Sequence, residues 1–271
     1  MKVTANVHAE VGYYGANVGY ITTEQGIVMV DSPQKPTDAV DWRKRVEKEG
    51  EIRYLIDTHA HADHFFGNFF FNAPVIAHQK TRESILKADI KQLLARVEEI
   101  DPEGLPLVSD YHINAPSITF SENLSLYLGS PTIELIHLPG HSTGETGILI
   151  PEERVLFTGD NIFRKVQAFL HEADPDIWLQ SLKRIGELDV DYIIPGHGEI
   201  CDKSYLVEQA DFIQEWVDTV KKAIDKGWTK EEAMSRISLL DHYPMAPGNE
   251  KRGPELQKMN VSRLYDVLTK G

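Results

Sequence analysis

The chain has 271 residues, 41% of them hydrophobic, enough to bury a sizeable core as one large domain or two small ones. Its formal net charge of −14, from 42 acidic and 28 basic residues, repels polyanions and argues against nucleic-acid partners. There is no apolar run of roughly 18 residues, and the N-terminal MKVTANVHAEVGYYG is too polar for a secretory segment, so a cytoplasmic protein without a membrane span is expected. Cys201 is the single cysteine, which excludes an intrachain disulfide or a CxxC site, and it reads as inert.

From Val3 to Val30 the pattern is strand-like, with glycines that suit tight turns between antiparallel strands. The run GIVMV leads into Asp31, read as a group that bonds loop amides and supports the site rather than reacting. Residues 37–49 form an amphipathic helix, 52–56 a short buried strand, and 74–78 another. The five phenylalanines of FFGNFFF (65–71) read mainly as core, with Phe65 and Phe66 placed to wall a site. A single helix is expected over 81–100, ending at the breakers of 101–106.

In the second half, strands are expected at SITF, LSLYL, IELIHL, TGILI and RVLFT, then a helix at 175–188 and the strand 191–195. Helices follow at about 203–226, 229–239 and 254–269. Two strand-rich halves, each trailing helices, point to an α/β fold of two sheets packed face to face with helices outside.

The chemistry gathers at Thr58–His64, THAHADH, where His59, His61, Asp63 and His64 follow a strand end. Imidazole and carboxylate at such spacing suit zinc or a similar divalent ion. Three later runs place a glycine beside a further ligand type at the end of an apolar strand: LPGHSTGE with His141, LFTGDN with Asp160, and IIPGHGE with His197. A divalent ion held by such groups lowers the pKa of a bound water toward neutrality and so supplies hydroxide, with Asp63 as the catalytic group that orients it and shuttles its proton.

These motifs, in this order, resemble the metallo-β-lactamase superfamily, over roughly residues 5–200. The resemblance implies a four-layer αββα sandwich for residues 1–200; residues 201–271 lie outside the motifs and read as a helical C-terminal extension packed on the same domain. It also implies two divalent metal ions: His59, His61 and His141 around the first, Asp63, His64 and His197 around the second, and Asp160 bridging. Zinc is the default for this ligand set, and manganese and iron tolerate it. The expected activity is hydrolysis of a small-molecule thioester, lactone or ester. Alternatives are a mononuclear-iron sulfur-compound dioxygenase, a weak β-lactamase, a phosphodiesterase, and a regulatory protein with a vestigial site.

Departures from the pattern narrow the choice. The main zinc β-lactamases carry a cysteine where Asp160 stands, and flavodiiron proteins replace the second histidine, here His61. Enzymes resembling glyoxalase II share all seven ligands, but their basic glutathione-binding residues have no match, and Lys251–Arg252 reads as a solvated loop pair. Arg164–Lys165 reads as surface or an anion clamp. Tyr13, Tyr111 and Tyr192 are the tyrosines a lactonase of this kind would recruit. Residues 11–17 and 161–174 are expected to form the substrate pocket, with His171 the one other histidine expected near it. The C-terminal helices cover the sheet, shape the pocket or make a homodimer contact.

Overall fold

The glycine-punctuated N-terminal segment folds as an antiparallel meander of β1 (Val7–Glu10), β2 (Val18–Thr23) and β3 (Gly26–Val30) in the computed structural model, which describes residues 1–270. Helix α1 (Pro36–Val46) opens with proline in its first turn and buries Ala39, Trp42 and Val46. The chain then returns as β4 (Ile52–Ile56), parallel to β3. The short helix α2 (Ala62–Phe65) and a 3-10 turn over Phe66–Phe70 lead to β5 (Val75–His78), again parallel.

Residues 81–100 are two helices rather than one. Helix α3 (Gln79–Ile85) ends, and α4 (Ile90–Ile100) begins at Asp89, whose carboxylate accepts the Lys91 N–H at 2.8 Å. An aspartate that caps a new helix competes with continuation of the old one, which periodicity alone does not reveal. The breaker-rich stretch that follows winds into a 3-10 segment, Pro102–Val108. Strand β6 (Ile118–Phe120), grouped by sequence with the second half, pairs in parallel with β5 and completes a six-stranded first sheet.

The second sheet comprises β7 (Asn123–Leu126), β8 (Ile133–His137), β9 (Thr146–Ile150), β10 (Val155–Arg164) and β11 (Tyr192–Gly198), in the order β11-β10-β9-β8-β7. Only its β10–β11 pair is parallel. Between them in sequence lies α5 (Pro175–Glu187), and after β11 come α6 (Tyr205–Asp225), α7 (Lys230–Arg236) and α8 (Gly253–Lys270).

Three apolar layers define the stacking. Val7, Ile21, Val28 and Ile76 of the first sheet meet Leu135, Ile148, Val155 and Ile194 of the second. On the outer face of the first sheet, Tyr20, Met29 and Leu55 pack with Trp42 of α1 and Val97 of α4. On the outer face of the second, Leu149, Leu156 and Ile193 pack with Trp178, Ile213, Trp216, Val261 and Leu264 from α5, α6 and α8. The result is the expected αββα sandwich, with the C-terminal helices sharing the outer core of the second sheet. Among the described residues no helix is long and apolar enough to cross a membrane.

Candidate metal centre

The loop after β4 is pinned before it reaches its histidines. Asp31, left-handed at φ 56°, accepts the Thr58 N–H at 2.7 Å through Oδ1 and the Thr58 hydroxyl at 2.8 Å through Oδ2. Ser32 N–H donates to the His64 carbonyl at 2.8 Å. Asn68 donates both to Asp57 and, as an acceptor, receives the Ser32 hydroxyl, closing the base of the loop. The amide-bonding role read for Asp31 is what the structure shows.

Asp160 and His197 do not sit at strand exits as expected but inside strands. The β10–β11 register slips between Gly159 and Phe163, so the backbone around Asp160 bulges from the ladder and turns its side chain toward the histidines. Gly159 takes φ 52°, and a Cβ there would lie 2.3 Å from Glu145 Oε1. Gly196 faces Asp160 still more closely, with a Cβ position 1.9 Å from Oδ1. His141 occupies the β8–β9 connection, its ring edge-on to Trp178 with centroids 5.4 Å apart.

All seven sequence-predicted residues converge. Their donor atoms form two groups, His59, His61, His141 and Asp160 in one, and Asp63, His64 and His197 in the other, each within 4.8 Å. Asp160 faces both. Its Oδ1 lies 3.2 Å from His64 Nε2 and 3.3 Å from His197 Nε2, while Oδ2 lies 3.5 Å from His141 Nε2 and 3.7 Å from His59 Nε2. Asp63 Oδ2 is 3.4 Å from His197 Nε2, and His61 Nδ1 is 3.1 Å from His141 Nε2.

The donor set fits divalent cations. His59 Nε2, His64 Nε2 and Asp160 Oδ1 are buried without a hydrogen-bond partner, a costly arrangement unless a cation satisfies them. Burial, reinforced by neighbouring histidines, holds His59 well below the ordinary histidine pKa; burial does the same for His141, so both rings offer lone pairs. Burial also disfavours a charged His64 and His197, but Asp160 outweighs it at both and Asp31 adds to it at His64, raising their pKa values. Burial opposes ionisation of Asp160 too, and His197, His64 and His59 overcome it.

At three of the five histidines the second ring nitrogen lies near a carboxylate, whereas His141 Nδ1 and His197 Nδ1 have no hydrogen-bond partner among the described residues. His64 Nδ1 lies 2.8 Å from Asp31 Oδ2, His59 Nδ1 3.3 Å from Glu145 Oε1, and His61 Nε2 3.5 Å from Glu172 Oε2. The His64–Asp31 hydrogen bond fixes that ring's tautomer and tilt, while Glu145 and Glu172 stand beside His59 and His61 at looser ion-pair distances. Glu145, fully buried, also accepts the Asp160 N–H at 2.9 Å and the Ser142 hydroxyl at 2.8 Å. Burial, and then Asp160, push its carboxyl well above the usual range. Sequence reasoning missed Glu145 although it ends the run LPGHSTGE; three residues from a capping-type serine, it looks like any turn glutamate. His61, His171 and Glu172 form a further group of donors, with His61 shared and its ring stacked on His171 at 4.8 Å.

A cavity of about 380 Å³ opens onto the centre, lined by His61, Asp63, Asp160 and His197. Phe65, Leu93, Phe169 and Met259 give it apolar walls. Residues 161–174 contribute Phe169 and His171, as expected, although 161–164 belong to β10. Residues 11–17 are not among its lining. They back it instead: a Cβ on Gly15 would lie 2.9 Å from Asp63 Cβ, and the Tyr14 hydroxyl donates to Asn249 at 2.8 Å. Phe66 stacks on Tyr111 at 4.4 Å in the core and does not wall the site.

None of Tyr13, Tyr111 and Tyr192 lines the cavity. Arg164 lies away from it, over the Tyr205 ring at 4.7 Å. Arg252, read as half of a solvated pair, is instead part of the cavity wall, brought there by the tertiary placement of the segment before α8.

Fold and site together define a class, and the comparisons agree. The chain belongs to the metallo-beta-lactamase superfamily, whose family model matches residues 11–197. It is 26% identical over 200 residues to a beta-lactamase-like protein 2 homolog of Caenorhabditis elegans, covering 73% of this chain. It is 30% identical over 148 residues to a hydroxyacylglutathione hydrolase of Mesorhizobium japonicum, covering 55% of this chain. The chain spans 60% and 53% of the lengths of these two relatives. Among solved structures it resembles a metallo-beta-lactamase from Pontibacter korlensis in fold, with a TM-score of 0.61 and 18% identity over 79% of this chain and 97% of that one.

Proposed function

We propose that this protein is a binuclear metallohydrolase that cleaves a small thioester, ester or lactone. The observation that carries the reading is the two-sided placement of Asp160, each carboxylate oxygen facing a different group of histidines. His59, His61 and His141 would hold one divalent ion and Asp63, His64 and His197 the other, zinc being the default for these donors. Bound there, such ions would supply hydroxide at neutral pH and polarise a scissile carbonyl.

The chain's own residues do the rest. Asp160 stays ionised, because the surrounding histidines outweigh its burial, and balances cationic charge in the interior. Asp63 is the least buried acid of the set at 25% side-chain exposure and lines the cavity, where it can take a proton during attack and return it to the leaving group. His171 has a pKa lowered to about 4, chiefly by burial, so it is neutral at pH 7 and offers a substrate an uncharged hydrogen-bonding partner. The apolar wall of Phe65, Leu93 and Phe169 limits water and suits the hydrocarbon part of an acyl compound. Similarity to a hydroxyacylglutathione hydrolase supports the thioester branch.

The test is a hydrolysis panel of thioesters, lactones, esters, β-lactams and phosphodiesters, run on protein reconstituted separately with zinc, manganese and iron. Turnover of the first three classes supports the reading. Oxygen consumption with one iron per chain and no hydrolysis would replace it with the dioxygenase alternative.

A further inference from the structure

At the rim of the cavity lies a third group of donors, two of which the pair of inner ions does not use. His171 and Glu172 are the central residues of a tight turn in which the Ala173 N–H donates to the Leu170 carbonyl at 3.0 Å. Helix α8 holds both ends of that turn. Asn260 accepts the Leu170 N–H at 2.7 Å and donates to the Ala168 carbonyl at 2.9 Å, and Arg263 Nε donates to the Ala173 carbonyl at 2.8 Å. Leu170, Ala173 and Asn260 are fully buried, so the turn presents His171 and Glu172 from a fixed base.

One ligand atom from each of His61, His171 and Glu172 lies within 4.8 Å of the others. His61 faces two ways: Nδ1 is 3.1 Å from His141 Nε2, toward the centre, and Nε2 is 3.5 Å from Glu172 Oε2, toward the rim. His61 Nε2 and His171 Nδ1 are buried nitrogens with no hydrogen-bond partner among the described residues. A carboxylate placed only to steer the His61 ring would account for Glu172, but it leaves a second imidazole beside it with an unpaired buried nitrogen.

We propose that His61, His171 and Glu172 form a third cation site, at the cavity rim, for a zinc-like divalent ion. Two imidazoles and one carboxylate suit zinc, cobalt or nickel rather than magnesium or calcium, which prefer oxygen donors alone. Of the three donor groups this is the most exposed, with the Glu172 side chain 57% accessible, so it is the first that an ion arriving from solvent meets. The site shares His61 with the inner group of His59, His141 and Asp160. An imidazole that binds an ion at each nitrogen must give up its ring proton, which costs affinity. The rim ion is therefore held more loosely than the inner ones and is the one that dialysis removes. Only this ranking rests on the two-ion reading above; the three donors stand without it.

The experiment is calorimetric titration of the zinc-loaded, dialysed full chain with zinc chloride, its resident metal first counted by mass spectrometry. One further equivalent is expected to bind, and the same titration with magnesium chloride is expected to show none. His171→Ala and Glu172→Gln are each expected to weaken the added equivalent by about tenfold or more. The resident metal content, and the melting temperature of the metal-free protein, are expected to stay unchanged in both. An added equivalent that keeps its full affinity in both variants is adventitious zinc on an acidic surface and overturns the proposal. So does the absence of any added equivalent in the wild type. Loss of a resident ion in the variants would also overturn it, by making His171 and Glu172 supports of His61 alone. One resident ion with His171-dependent uptake of a second would keep the rim site and remove the two-ion reading; two resident ions without further uptake would do the reverse.

Discussion

Asp31 and His64 are bonded at 2.8 Å, Oδ2 to Nδ1, across 33 residues of sequence. The same carboxylate holds the Thr58 amide and hydroxyl, so one side chain sets both the path of the metal-site loop and the tautomer of a ligand. Asp31→Asn keeps the shape but presents an NH2 where acceptors are needed. Metal affinity at the Asp63–His64–His197 group is expected to fall by roughly 10- to 100-fold, as for other partners of ligating imidazoles. Competition against a fluorescent chelator measures this, and an unchanged affinity would show that His64 needs no such support.

Gly196 leaves no room for a side chain beside Asp160. Gly196→Ala is expected to push Asp160 Oδ1 aside and reduce turnover by at least tenfold, with the circular dichroism spectrum retained. Full activity in this variant would mean that the Asp160 position is not needed.

Metal loading should strengthen with pH. In the metal-free protein burial opposes charge on His64, but Asp160 and Asp31 prevail and raise its pKa above 6.5. A folded pKa above the unfolded one stabilises fully below the unfolded value, and that stabilisation is lost as pH rises through the folded value. A cation needs the neutral ring, so protons compete with it. The gain in melting temperature on adding zinc is therefore expected to widen from about pH 6 to pH 8. At a thousandfold excess over Kd it reaches about 4 kcal/mol, on the order of 10 °C for a chain of this size. A gain that shrinks over this range contradicts the assignment.

Burial pushes the Cys201 thiol up to about 12. Its thiolate is scarce at pH 8, and alkylation by iodoacetamide is expected to be roughly a thousandfold slower than in denatured protein, rising with pH. Equal rates in the native and denatured chains would place Cys201 in an open environment.

Much of the site was legible because ligating residues have few other reasons to cluster: three histidines and an aspartate in THAHADH announce a metal, and glycines beside His141, Asp160 and His197 mark close backbone approach. What escaped was set by tertiary contacts. Arg96 and Asn249 meet across 153 residues, and only the docking of the segment before α8 puts Arg252 into the cavity. Glu145 was hidden because burial, not type, turns a loop glutamate into a partner of His59. The split of residues 81–100 turned on one Asp89 side chain that a periodic leucine and isoleucine stripe conceals.

The most direct measurement is metal content by mass spectrometry on wild type and Asp160→Ala, each loaded with zinc and dialysed. Two ions per chain in the wild type, falling to about one in the variant together with nearly all hydrolysis, is the expected result. One ion per chain in both proteins, with activity preserved, would show that Asp160 does not join a pair of metals.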